Sequence, residues 1–197
     1  MQQGILENNF VKLIPIVESH LEFYKKAALD ARIWAHVATV METEQDVEQY
    51  VQQQLSYMTN KQRVVYSIFD ALTNELIGST SIYDISDVHK HAEIGSTWLI
   101  PSYWGTATNT HCKYLLLQFL FEENEFERIQ IKTDNLNERS QRAIEALGAT
   151  FEGRLRKHMK RKDGSMRDTM LYSIIREEWP AIQTKLEQRI IDFEDRS

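Results

Sequence analysis

The chain has 197 residues, 42% of them hydrophobic and 26% charged, with a formal net charge of −6. That length and balance suit a single globular domain spanning residues 1–197 with a sizeable core, and the acidic excess argues against nucleic acid as a main partner. No apolar run could span a bilayer and the N-terminus lacks a signal-like core, so no membrane association is expected. The single cysteine, Cys112, allows no internal disulfide, which fits a reducing, cytoplasmic location.

Val11–Ile16 reads as a short strand, with Pro15 favouring an edge or an end. From Glu18 to about Ala38, Leu21, Tyr24, Ala28, Ile33, Trp34 and Val37 recur at broadly helical spacing, predicting one helix. Thr43 and Asp46 form a capping-box pattern that opens a second helix through Val47, Tyr50, Val51, Leu55 and Met58. Arg63–Phe69 and Leu76–Tyr83 read as strands flanking a turn at Asp70–Asn74, and Ala92–Ile100 completes a three-strand meander. Strict alternation in that third strand would set Ala92, Ile94, Ser96, Trp98 and Ile100 on one face. Glu93, Gly95, Thr97 and Leu99 would take the other.

After it, Pro101-Ser-Tyr-Trp104 leads into Gly105-Thr-Ala-Thr-Asn-Thr110 and then a helix-like run from His111 that is apolar around much of its circumference. A strand passing through a small-residue turn into a helix can bind phosphate, because the turn amides and the helix N-terminus present positive partial charge. Cys112 lies within that helix and reads as a buried structural thiol. Arg128–Thr133 is a further strand, and Glu138–Leu147 a helix stopped by Gly148. Phe151–Lys162 and Arg167–Ile175 form a hairpin across Asp163-Gly164, its basic cluster read as solvated. Trp179, Ile182, Leu186, Ile190 and Phe193 stripe a last helix that either docks on the same domain or pairs two chains, leaving a monomer or a homodimer open.

The order of elements implies an α/β mixed sheet, mostly antiparallel, with helices on both faces. No Gly-x-x-x-x-Gly-Lys is present, and Gly105-x-Ala107 lacks the third glycine of a dinucleotide fingerprint.

Over nearly its whole length the chain resembles the GNAT superfamily of N-acetyltransferases, and within it the ribosomal-protein N-terminal acetyltransferase-like branch. The superfamily's acyl-CoA motif, Gln/Arg-x-x-Gly-x-Gly/Ala, corresponds to Ser102-Tyr-Trp-Gly105-Thr-Ala107, with Ser102 departing from the usual Gln or Arg. Asn137-Glu-Arg-Ser140, Ala143-Ile, Leu147-Gly-Ala149, Phe151-Glu-Gly153, Leu155-Arg156, His158, Asp163-Gly164, Arg167-Asp168, Tyr172-Ser-Ile174 and Glu178-Trp-Pro180 come next in the same order.

The resemblance implies acetyl-CoA as cosubstrate and no metal. It implies a strand at Ala92–Leu99 that splays from the parallel strand at Arg128–Thr133, with pantetheine in the gap along Trp98, Leu99 and Ile100. The pyrophosphate would rest on Gly105, Thr106, Ala107, Thr108, Asn109 and Thr110, and Asn137 and Ser140 would lie near the pantetheine or the thiol. The acceptor would be a primary amine, most naturally a protein or peptide N-terminus. A small amine (polyamine, amino acid or antibiotic) and a non-catalytic acyl-CoA-binding module are the alternatives. Candidate bases are Glu93, Glu152 and His158; Ser140, or secondarily Tyr172, is the candidate acid. Trp34 and His36 are candidates for the rim of the acceptor pocket or for an aromatic core.

Overall fold

The computed structural model describes residues 3–35, 39 and 41–194. Eight strands form one sheet in the order β1-β2-β3-β4-β5-β6-β8-β7. They are β1 (Leu6–Glu7), β2 (Val11–Pro15), β3 (Arg63–Asp70), β4 (Leu76–Ser86), β5 (His91–Leu99), β6 (Arg128–Asp134), β7 (Thr150–Lys160) and β8 (Met166–Ile175). Only β5 and β6 run parallel; every other neighbouring pair is antiparallel. The mixed, mostly antiparallel sheet expected from the sequence is therefore present, with the two-residue β1 as an unforeseen edge.

Helices α1 (Leu21–Ala27) and α2 (Glu44–Thr59) cover one face, and α3 (Thr108–Gln118), α4 (Glu138–Ala146) and α5 (Trp179–Glu194) cover the other. The alternating side chains of β3 divide between the two cores. Val64, Tyr66 and Ile68 meet Leu116, Phe121 and Trp179, whereas Val65 and Phe69 meet Tyr24, Val47 and Val51. At about 25 cal/mol per Å² of apolar surface removed from water, two such layers supply most of the driving force for folding. The stripe on α5 docks within the chain through buried Trp179, Ile182 and Leu186. The capping box forms as the sequence suggests, with the Thr43 and Asp46 side chains each bonding the other's backbone N–H.

Two expectations fail for identifiable reasons. The helix expected over 18–38 is instead a 3-10 turn at Glu18–His20, α1, and a second 3-10 turn at Ala31–Trp34. Asp30 accepts a hydrogen bond from the Arg32 N–H, and the Trp34 indole donates to the Ala28 carbonyl. Side-chain bonds thus satisfy the groups that a continuous helix would have paired internally.

The face alternation of β5 also breaks. Ser96 has φ 49°, and the register with β4 jumps from Gly95 opposite Ser81 to Trp98 opposite Ser79. This β-bulge reverses the remaining residues. Leu99 joins Ala92 and Ile94 in the α3–α5 core, while Trp98 joins the α1–α2 core.

Candidate active site

The β5–β6 pairing covers only His91 with Arg128, Ala92 with Ile129 and Glu93 with Gln130. Beyond those three pairs both strands continue, β5 to Leu99 and β6 to Asp134. A wedge thus opens between two parallel strands, lined by backbone polar groups that the sheet itself does not pair. The bulge at Ser96 lies along this wedge, and Gly78 permits it: a Cβ there would stand 2.2 Å from the Trp98 carbonyl oxygen. The Ile100 N–H bonds the Ile77 carbonyl, and the Leu99 carbonyl accepts from the Trp104 indole at 2.8 Å. Antiparallel ladders alternate, so the Leu99 N–H turns away from β4 and toward the wedge.

The turn after β5 ends in a helix whose first amide, that of Thr108, meets the Thr106 hydroxyl at 3.3 Å, while its N-cap residue supplies no side-chain bond. Ala107 occupies the N-cap of α3 and offers no side-chain hydrogen bond, whereas Thr43 caps α2 and Asn137 caps α4. The first intrahelical bond at this end runs from the His111 N–H to the Ala107 carbonyl. The amides of Asn109 and Thr110 precede it, and the N-cap residue supplies no side chain to pair them, an arrangement suited to binding an anion. Gly105 adopts φ +75°, and nothing lies within 4 Å of where its Cβ would be, so the approach is open. Thr106 braces the turn by donating from Oγ1 to the Tyr103 carbonyl at 2.8 Å.

Asn137 and Ser140 open α4, with the Asn137 side chain accepting from the Ser140 N–H at 3.0 Å. Between them in sequence, the Arg139 guanidinium lies 3.8 Å over the Trp104 ring and so links α4 to the turn. The Trp98 side chain plays no part at the wedge. Its indole donates to the Tyr50 hydroxyl and packs against Tyr24 and Trp34 under α1 and α2.

On the α1–α2 face, where neither of those helices covers β5 and β6, the sheet is polar. Glu93 is buried at the point where the strands part. It accepts from the Tyr83 hydroxyl at 2.7 Å and from the Gln130 amide at 3.1 Å, and pairs with Lys132 at 2.7 Å. Gly95 makes room for this arrangement, since a Cβ there would meet the Tyr83 hydroxyl at 2.3 Å. Burial first, then the neighbouring Glu93 carboxylate, pushes the Tyr83 phenol far up, so it stays a donor.

The other sequence candidates are not gathered at one point. Glu152 is held by a two-pronged pair with Arg128 and a hydrogen bond from Ser173, and Arg128 holds its carboxyl below the usual range. His158 sits on a bulge of β7 with Nδ1 3.1 Å from the Thr169 hydroxyl. Thr169 pairs with Asp134 across β6 and β8. Tyr172 is buried and donates to Glu145 of α4, on the face opposite Glu93. Trp34 is a core residue, 4% exposed, and His36 falls outside the described residues. The hairpin's basic cluster is largely solvated, as expected, with Arg154, Arg156, Lys157, Lys160 and Lys162 exposed; Arg161 is half-buried against Asp134.

Sequence reasoning missed Lys113. It is 5% exposed on α3, yet its ammonium donates to the Thr97 hydroxyl at 2.7 Å, and Thr97 in turn meets Thr80. Burial depresses its pKa to about 8. The available signal was a cation one residue after Cys112 in a run otherwise fated for the core. Cys112 is buried, as expected, and burial pushes its thiol up to about 12. Among the described residues no cluster of three His, Cys, Asp or Glu is placed to hold a metal ion, and no helix is long and apolar enough to cross a membrane.

A mostly antiparallel sheet that splays at its one parallel pair, beside the start of α3, is the fold of an acetyltransferase. The chain belongs to the acetyltransferase (GNAT) domain family, which matches residues 11–150. It is 31% identical over 104 residues to the Bacillus subtilis protein named "Putative ribosomal N-acetyltransferase YdaF", an alignment covering 53% of this chain and 56% of that one. The match thus spans little more than half the length of that relative. A solved structure from T. thermophilus, described as a "putative acetyltransferase", superimposes with TM-score 0.85 at 34% identity, covering 96% of this chain and 98% of the other. The ribosomal L7/L12 α-N-protein acetyltransferase RimL shares the fold, with TM-score 0.77 at 22% identity over 87% and 94% of the two chains.

Proposed function

We propose that the chain transfers an acetyl group from acetyl-CoA to the α-amine of a protein or peptide N-terminus by direct attack. The observation that carries this reading is the β5–β6 wedge, with Glu93 at its apex and the start of α3 at its mouth. In this arrangement the amides of Gly105–Thr110 hold the pyrophosphate, and the free backbone of β5 aligns the pantetheine. The amine attacks the thioester carbon, the C–S bond breaks, and the leaving sulfur takes a proton. The Leu99 N–H, facing the wedge, donates to the carbonyl oxygen as negative charge develops on it. Glu93 takes the proton from the attacking amine through a water, and Ser140 returns one to the sulfur. His158 lines the acceptor side of the polar face, and Asn137 positions the start of α4.

Two further considerations favour an α-amine. With a reference pKa of about 7.7–8.0 it is neutral to roughly one part in ten near pH 7, so a base acting through water suffices; a lysine at about 10.4 is not so easily served. The polar face is also not acidic overall. Glu93 is matched by Lys132, and Arg63 lies against the Tyr83 ring, which suits a peptide better than a polycation. The resemblance to proteins named for ribosomal acetylation points the same way.

Thiol release from acetyl-CoA is the test, measured with a panel of free-N-terminal peptides, Nα-blocked lysine peptides and spermidine. Turnover confined to free N-termini supports the proposal. Preferred turnover of spermidine transfers the chain to small-amine chemistry, and tight CoA binding with no turnover of any amine makes it a binding module.

A further inference from the structure

The phosphate end of the cleft lacks a cation of its own. From Trp98 to Thr110 the sequence contains no Lys, Arg or His, so the amides of the turn and of α3 offer only partial charge to a pyrophosphate. The first basic side chains further along the helix are committed elsewhere. His111 stacks on Phe10 and meets Asn8, and Lys113 is buried against Thr97.

Arg139 is the cation that touches the turn, and its position is electrostatically unfavourable for the helix that carries it. It lies in the first turn of α4, where the macrodipole disfavours positive charge. The carboxylate beside it, Glu138, pairs with Arg142 instead. Among the described residues no carboxylate pairs with Arg139. Its guanidinium rests on the Trp104 ring, and Trp104 is itself anchored to the last carbonyl of β5. An arginine against a helix dipole, held by an aromatic ring one residue before Gly105, is placed to serve a ligand rather than the fold.

We infer that Arg139 is the pyrophosphate-binding cation of this chain, with Trp104 as the platform that holds it at the cleft mouth. The planar guanidinium can stay stacked on the indole while its edge N–H groups bond phosphate oxygens, a geometry that lysine cannot reproduce. It supplies the positive charge that the turn, with serine at position 102, does not carry.

The inference rests on the acetyl-CoA reading above, and the test separates the two. Affinities for CoA, dephospho-CoA and pantetheine are measured by calorimetry or competition on the wild-type chain and on Arg139→Ala, Arg139→Lys and Lys26→Ala. Lys26 lines a separate cavity that also touches Pro101 and Ser102, and so controls for bulk positive charge near the turn.

Arg139→Ala should weaken CoA and dephospho-CoA equally, by about tenfold to a hundredfold, and leave pantetheine unchanged. Arg139→Lys should recover only part of the loss, and Lys26→Ala should lose nothing. Unchanged CoA affinity in Arg139→Ala overturns the inference while leaving the acetyl-CoA reading standing. A loss for CoA but not dephospho-CoA overturns it too, since the contact would then be to the 3′-phosphate. If the wild-type chain binds none of the three, both readings fall.

Discussion

Glu93 is held from three directions, and each partner bears on what the carboxylate can do. Lys132 and Gln130 share one oxygen, while the Tyr83 hydroxyl takes the other. The pair keeps a buried charge compensated, since an unpaired carboxylate at this depth would be strongly disfavoured. Glu93→Gln preserves shape and most hydrogen bonds but removes the base. If Glu93 acts as proposed, kcat should fall by roughly 10²-fold or more, with KM for acetyl-CoA little changed; a kcat within threefold of wild type would remove it from the mechanism. Lys113 carries a second prediction at this scale. Its pKa falls from 10.5 to about 8 on burial, so below pH 8 the folded state bears the full cost of a buried charge. Between about 8 and 10.5 the unfolded chain binds more protons than the folded one, and stability rises with pH. Lys113→Met should therefore be more stable than wild type at pH 7, by on the order of 3 kcal/mol. That advantage should have largely vanished by pH 10. Urea unfolding at the two pH values checks it, and a gain independent of pH would contradict the burial argument.

Strand β5 does more than its hydrophobic pattern reveals. Its alternation was legible as far as Gly95, but the left-handed Ser96 inverts the faces of Thr97, Trp98 and Leu99, and no residue type at 96 announces a bulge. The cause lies across the sheet, in Gly78, whose missing Cβ leaves room for the displaced Trp98 carbonyl. Two glycine substitutions should thus differ in kind. Gly78→Ala pushes on backbone and should cost about 2 kcal/mol or more in stability. Gly95→Ala pushes on the hydroxyl and ring edge of the Tyr83 side chain rather than on backbone, so it should cost less stability than Gly78→Ala while reproducing the activity of Tyr83→Phe. Chemical denaturation and turnover of the three variants check this, and equal destabilisation by both glycine changes would contradict it. The break of the first expected helix was similarly hidden. Tyr24, Ile33 and Trp34 do sit in one core, so the stripe was sound. Its continuity was not, because Asp30 and the Trp34 indole compete for the backbone bonds.

At the scale of the whole molecule, element order was readable because its parts have local signatures, such as the capping pattern at Thr43 and Asp46 and the glycine that ends α4, and the parallel pair was readable through the family resemblance. The division of labour among distant carboxylates was not. Glu93 and Glu152 look alike in sequence, and only the sheet register places Arg128 against Glu152 and Lys132 against Glu93. The two halves of the proposed site also sit on opposite layers. In the proposed reading the α3–α4 side would hold the cofactor's phosphates and the α1–α2 face would receive the amine, with the wedge as the passage between them. The central claim is that acetyl-CoA occupies this wedge with its pyrophosphate on the start of α3. CoA affinity of Gly105→Glu, compared with Gly105→Ala, tests it most directly. Both replace a left-handed glycine and share its backbone cost of about 1 kcal/mol, but only the glutamate sets a negative charge at the helix N-terminus. The account predicts a loss of about a hundredfold or more for the glutamate, most of the affinity retained by the alanine, and closely matched unfolding midpoints. Equal CoA affinity in the two variants would contradict it.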